Sequence, residues 1–457
     1  MIFAPMRLSI TVRVASLAFA LGTLGLSPTA QAQSLRELYE AARSYDATYL
    51  AARSLADSAQ YRAAQADALK RPSVGLTANA TRSDVDVPAT VSGGVAIAGT
   101  SGHRYTNRID AGVNAIQPLY NRSNDATIAQ AYRGLDVSMA DLETAEQDLI
   151  VRVAQAYFDV LAAQDALTTT KASKAAITEQ LASAKRNFEV GTATITDTRE
   201  AQARFDLATA QEIAAENDLR TKRIALDQVV GRSNIAPKPL AAPVVLPSVT
   251  PDDVGQWVNT ADDLHPLVRK TRLALDIAKL ETERARASDG PTVDLVGGVG
   301  ANRTTGTATQ TPGNTASTSI GVQLKMPLYT GGATQNRIKE TLALEDKARN
   351  DLDAARRGVA QGTRVAFFGV QSGKAQTLAL EAAESSSKLA LEATQLGYKV
   401  GVRVNLDVLN AQTQLFQTQR DLARARYDVI VAGLRLRQAS GQLRPEDVNA
   451  VNTLLAP

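Results

Sequence analysis

The sequence predicts an α+β membrane protein made of one unit used twice, each unit two β-strands plus long antiparallel coiled helices. Three observations lead there. The first is an internal duplication: Phe188–Gln202 recurs as Tyr398–Gln412, both copies keeping an aromatic residue, Val-Gly, an Asp six residues past the Gly, and Ala-Gln four past the Asp. Gln117-Pro118-Leu119-Tyr120 likewise recurs as Met326-Pro327-Leu328-Tyr329, and Tyr157-Phe158 as Phe367-Phe368, at nearly the same offset of 210. A repeat of this length marks one structural unit used twice. The second is proline placement. Segments 119–236 and 328–444, of 118 and 117 residues, hold no proline, so each can be nearly all helix, broken once at its Val-Gly turn. The third is a set of short alternating segments of outer-membrane-strand length.

In chain order, residues 1–32 read as a secretory signal peptide. Arg7 and Arg13 precede an apolar run from Val14 to Leu26, and Ala30-Gln31-Ala32 offers a cleavage site. Removing it lowers the formal charge from +3 to +1. A near-neutral chain gives no electrostatic case for nucleic acid. The sequence contains no cysteine, so an exported chain of this size relies on packing without disulfides and has no lipid-accepting Cys behind the signal. No other stretch approaches the length of a membrane-spanning helix.

Repeat 1 covers 33–236: a helix over about 35–71, strands about 73–81 and 108–117, a long helix over 121–187 and a return helix over 197–231. Val74, Leu76, Ala78 and Ala80 alternate with Ser73, Gly75, Thr77 and Asn79, and the second strand alternates in the same way. In the long helix, Leu142, Ala145, Leu149, Val153, Ala156, Val160, Ala163 and Leu167 step by three and four, the rhythm of antiparallel coiled helices. At 1.5 Å per residue the long helix reaches roughly 100 Å and the two shorter ones roughly 50–55 Å each. Two short helices stacked end to end therefore match one long one. Residues 237–262 form a Pro-rich linker and equatorial region, where the chain crosses between repeats at mid-height. Repeat 2 covers 263–444, with helices over about 263–289, 333–396 and 407–440 and strands about 292–302 and 317–326. Residues 445–457 are a C-terminal tail. Segments 82–107 and 303–316, rich in Gly, Ser and Thr, read as loops. Four strands cannot close in lipid alone, because open sheet edges leave backbone groups unpaired. The chain must oligomerise, and a dimer would supply eight strands and a trimer twelve.

The duplicated strand–strand–long-helix unit, the two Pro-Leu-Tyr junctions, the two Val-Gly…Asp…Ala-Gln turns and the mid-chain linker resemble TolC-type outer membrane efflux proteins over essentially the whole mature chain. The resemblance implies a homotrimer: a 12-stranded β-barrel in outer-membrane lipid, continuous with a periplasmic α-helical barrel. It implies a passive exit duct served by a periplasmic adaptor protein and an inner-membrane ABC or RND-type transporter. It also implies a gate at the helical tips, falling here on Thr196, Asp197, Tyr398 and Arg403. A pore-lining acidic ring falls on Asp407, while Asn410 stands at the second ring position, where the family has a carboxylate. The turns Val190-Gly191 and Val400-Gly401 are where the adaptor would dock. Simpler roles exist for the same residues: Gly191 and Gly401 as helix C-terminal turns, Asp197 and Asp407 as helix caps.

Little in the chain suggests catalysis, a cofactor or a metal. His103 and His265 have no ligand cluster nearby in sequence. Gly369-Val-Gln-Ser-Gly373-Lys374-Ala375 lacks the spacing and the closing hydroxyl of a phosphate loop. A non-conducting periplasmic coiled-coil scaffold is the rival reading. Within the duct reading, type I protein secretion and multidrug efflux stay unresolved.

Overall fold

The computed structural model describes residues 32–88, 91–96, 102–241, 243–244, 246–308 and 312–456. The expected signal peptide, save Ala32, lies outside them. Repeat 1 runs α1 (Leu35–Tyr45), α2 (Ala47–Asp67), β1 (Ser73–Val87), a small hairpin β2 (Val91–Ser92) and β3 (Val95–Ala96), β4 (Gly102–Tyr120), α3 (Arg122–Glu189) and α4 (Ile195–Val230). Repeat 2 runs α5 (Val254–Leu264), α6 (Pro266–Ala287), β5 (Thr292–Thr305), β6 (Gly313–Lys325), α7 (Ala333–Lys399) and α8 (Asn405–Ala439), followed by α9 (Pro445–Asn452).

The four long strands form one antiparallel sheet in the order β1-β4-β5-β6, so the two repeats meet at β4 and β5. Its register is regular across the sheet apart from a shift between Pro118 and Tyr120 of β4. Leu76 pairs with Val113, which pairs with Val299, and Ala78 with Ala111 and then Ala301, giving one apolar face. The opposite face carries Gly75–Asn114–Gly298–Ser319 and Thr77–Gly112–Gly300–Ser317. Gly112 is there because the sheet is tight: a Cβ would sit 3.3 Å from the Val299 carbonyl oxygen. The apolar face is bare, with Leu76 76% and Ile320 82% exposed. Strands β1 and β6 are edges, and each pairs on one side only.

Both hairpins extend further than the sequence pattern predicts. Pairing continues from Thr81↔Arg108 to Val87↔Gly102, and β5–β6 pairing reaches Thr304↔Gly313. Antiparallel hydrogen bonding does not need an apolar face, so the ladders run on into polar sequence that composition marks as loop.

Shorter helices flank each long rod. α2 and α4 flank α3, and α6 and α8 flank α7; α3 also packs on α6 and α8. At 68 residues, α3 is about 102 Å long. The Asn121 side chain caps its start, accepting from Ser123 and Asn124 backbone N–H groups. The helix expected over 35–71 is broken at Asp46, whose carboxylate caps α2 at Tyr49 N (2.8 Å) and accepts from Arg152 (3.0 Å).

The main core sits at the waist, where α1, the middle of α3, the end of α4, the end of α8 and α9 meet around Leu38, Leu149, Tyr157, Phe158, Leu226, Leu434 and Val448. Leu149, Val153, Val160, Ala163 and Leu167 of the coiled rhythm are all buried there. The linker crosses at this height. Gln33 bridges Pro237, Leu240 bridges Leu455, and Tyr157 Oη donates to the Gln33 and Lys238 carbonyls. Two expectations change here. The stretch 237–262 includes most of helix α5, and 445–457 is no loose tail, because Val448, Val451 and Leu455 are buried in the core.

Candidate functional site

The two hairpin tips at the end away from the sheet are near copies of one turn. Gly191 and Gly401 both stand at φ +80°, and each preceding helix closes through the same bonds. Val190 N donates to the Arg186 carbonyl at 3.2 Å and Val400 N to Leu396 at 3.1 Å. Thr192 N donates to Asn187 at 2.8 Å and Val402 N to Gly397 at 2.9 Å. Only a residue free of Cβ adopts that φ without strain, which is why both copies keep glycine. Val190 and Val400 project from the turns, exposed.

Beyond the turn the copies diverge. In repeat 1 Thr194 caps α4 and forms a reciprocal box with Asp197: Asp197 N donates to Thr194 Oγ1 (3.2 Å), and Thr194 N donates to Asp197 Oδ2 (2.9 Å). The Asp197 carboxylate thus serves the helix start through Oδ2. Repeat 2 has Val404 at the cap position, which has no side-chain acceptor, and Asp407 is free to take a different partner. It receives Arg403 Nη1 at 3.6 Å, with the Arg403 side chain 61% exposed. The stem of Arg403 folds over Gly397, where an added Cβ would come 2.8 Å from Arg403 Cγ. Thr196 is exposed at the second residue of α4.

Within one chain, therefore, Thr196, Asp197, Tyr398 and Arg403 do not bond one another. The tips are tied instead by three pairs that the sequence reading missed. Asn187 Nδ2 donates to Tyr398 Oη (3.2 Å), Gln180 Nε2 to Asn405 Oδ1, and Arg204 Nη2 to Asn410 Oδ1 (2.9 Å). Asn187 and Gly397 occupy the same place in the duplicated turn, so a residue-by-residue comparison of the copies singles that position out. The same comparison sets Asn405 against Ile195 and Gln180 against Ala390, but it does not say that these two meet. At the rod ends nearest the sheet, Glu281 joins three helices, accepting from Gln130 of α3, Arg284 of α6 and Arg337 of α7. Partial burial pushes its pKa up, but these three donors overcome that and hold it at about 2.

Among the described residues no helix is long and apolar enough to cross a membrane. The chain matches the family described as outer membrane efflux protein over residues 38–232 and 257–442. The chain belongs to that family. Outer membrane protein TolC of Vibrio cholerae is 34% identical over 437 residues, 95% of this chain and 96% of that protein. Alkaline protease secretion protein AprF of Pseudomonas aeruginosa is 31% identical over 339 residues, 73% of this chain and 70% of that protein. Among solved structures, the outer membrane protein VceC of Vibrio cholerae superposes with a TM-score of 0.73 at 20% identity, covering 89% of this chain and 96% of its own. This efflux-family member is an outer-membrane protein with a long periplasmic helical extension. Its relatives include both efflux and secretion proteins, and the family's structural neighbours are channel proteins.

Proposed function

We propose that this efflux-family chain closes as a homotrimer into a 12-stranded barrel in outer-membrane lipid, continuous with a periplasmic α-helical barrel, and serves as the passive exit duct of a tripartite export system. The observation that carries the reading is the four-stranded sheet with one largely apolar, exposed face and two unpaired edges. In lipid those edges must pair, and pairing β1 of one copy with β6 of the next closes a ring without leaving an edge. The scaffold reading gives this face nothing to do. A periplasmic adaptor docks at the Val190-Gly191 and Val400-Gly401 turns, and an inner-membrane ABC or RND-type transporter supplies energy and selects the substrate. Drug efflux and type I protein secretion share this duct: the family description names efflux, and AprF is a protease secretion protein.

The gate is placed at the tips. Tyr398 is held through Asn187 inside one chain. Arg403, exposed and only loosely paired with Asp407, is available to Thr196 and Asp197 of the next copy. Asp407 lines the constriction as a single acidic ring that favours cations, and Asn410 leaves the second ring neutral. Charge-assisted ties repeated by symmetry hold the closed form until a partner with higher affinity for the open form shifts the balance. Single-channel conductance in a planar bilayer tests this. A small conductance that rises in Arg403→Ser supports duct and gate together, while silence from both inserted proteins returns the scaffold reading.

A further inference from the structure

A groove between α3, α4 and α8, two to four helical turns from the tips, has a chemistry that the duct and gate do not use. Arg204 of α4 and Arg420 of α8, both half-buried, line one cavity of about 70 Å³. Neither makes an ion pair among the described residues. Arg204 donates to the neutral Asn410 oxygen at 2.9 Å, and Arg420 to the neutral Gln417 oxygen. No carboxylate lines the cavity. The next cavity along the same groove, which shares Thr170, Gln211 and Arg420, carries both signs, with Asp159, Asp218, Asp421 and Asp428 beside Lys222 and Arg424. Two guanidinium groups facing a carboxylate-free space, with Ser173 and Gln211 as further polar partners, make a local positive potential. Ile177, Leu207 and Phe416 give the wall an apolar part, beside threonines and Gln417.

We propose that this groove binds small amphipathic organic anions: a carboxylate, sulfonate or phosphate held between Arg204 and Arg420, with an apolar body laid against Ile177, Leu207 and Phe416. The site is complete within one chain and does not rest on the trimer or on the gate. It also gives the Asn410 departure a local consequence. A carboxylate at 410 would neutralise Arg204, whereas the amide orients the guanidinium and leaves its charge available to a ligand.

The chain has no cysteine, so a single engineered thiol reports on the groove without background. Thr413 lines the cavity and is exposed. In Thr413→Cys, purified as the full chain in lipid nanodiscs, modification by anionic sulfonatoethyl methanethiosulfonate should outrun modification by the cationic trimethylammonium analogue about tenfold, after correction for reagent reactivity, since both arginines line the same cavity as the thiol and charges this local are screened little. Adding Arg204→Gln with Arg420→Gln should bring the ratio near one. Adding Asn410→Asp should lower it, and Arg204→Lys should retain it. Benzenesulfonate should protect the thiol against a neutral reagent, and the uncharged isostere benzenesulfonamide should not. A ratio near or below one in Thr413→Cys, or one unchanged by the double Gln variant with its thermal unfolding intact, would overturn the site. Equal protection by inorganic phosphate and benzenesulfonate would overturn the amphipathic specificity.

Discussion

At the residue scale, the duplication shows how one position acquires two jobs. Asp197 and Asp407 stand at the same place in the copied turn. Thr194 draws the first into a helix cap, and Val404 leaves the second to Arg403. Capping was expected of both aspartates, and it is the residue three positions earlier that separates them: Thr194 offers a hydroxyl at the cap position where the second copy has Val404. Its loss changes different observables in the two copies. Asp197→Ala removes a cap and should cost the α4 start about 1 kcal/mol, read as faster amide exchange at the tip. Asp407→Asn should leave the fold alone and weaken cation preference, and an unchanged reversal potential would remove Asp407 from the pore lining. Tyr398→Phe, which loses only the bond from Asn187, should raise conductance as Arg403→Ser does, and to a smaller degree.

At the scale of elements, the turns and the helix junctions set the sensitive points. Replacing Gly401 by Ala meets no neighbour but forces a side chain to φ +80°, costing about 1–2 kcal/mol at that tip. Glu281 is a junction of another kind. Its folded pKa of about 2 lies below the ordinary 4.5, so the stability it adds is fully present above pH 4.5 and is lost as pH falls from there towards 2. Glu281→Gln should flatten the acid limb of a thermal-stability profile in that window. His265 follows the same sign. Burial lowers its pKa, with Glu143 opposing, and its neutral Nδ1 accepts from Leu267 N at 3.1 Å to start α6. Protonation would remove that cap, so the junction should weaken as pH falls below about 6.5.

At the scale of the whole molecule, the two faces of the sheet make opposite demands. An arginine at Leu76 or Ile320 would sit on the apolar face, where charge at mid-bilayer costs about 2–4 kcal/mol, and should reduce the yield of outer-membrane oligomer on unboiled gels. The same change at Ser319, on the polar face, should leave assembly near normal and alter conductance. Equal losses from both faces would contradict this assignment of the faces.

The sequence by itself determined whatever depends on local periodicity: the duplicated unit, the long rods between proline-bearing segments, the alternating strands and the left-handed glycines. These are short-range properties, set by steric limits on φ and by which face of an element is apolar. Tertiary structure alone decided the rest. Hairpin length beyond Thr81 came from strand pairing, the packing of Val448 and Val451 into the waist came from chain closure, and the ties Asn187–Tyr398, Gln180–Asn405 and Arg204–Asn410 join residues more than two hundred positions apart. The physical reason is the same in each case. Single polar side chains on long helices carry no periodic signal, and their partners are chosen only when packing brings two rods into register.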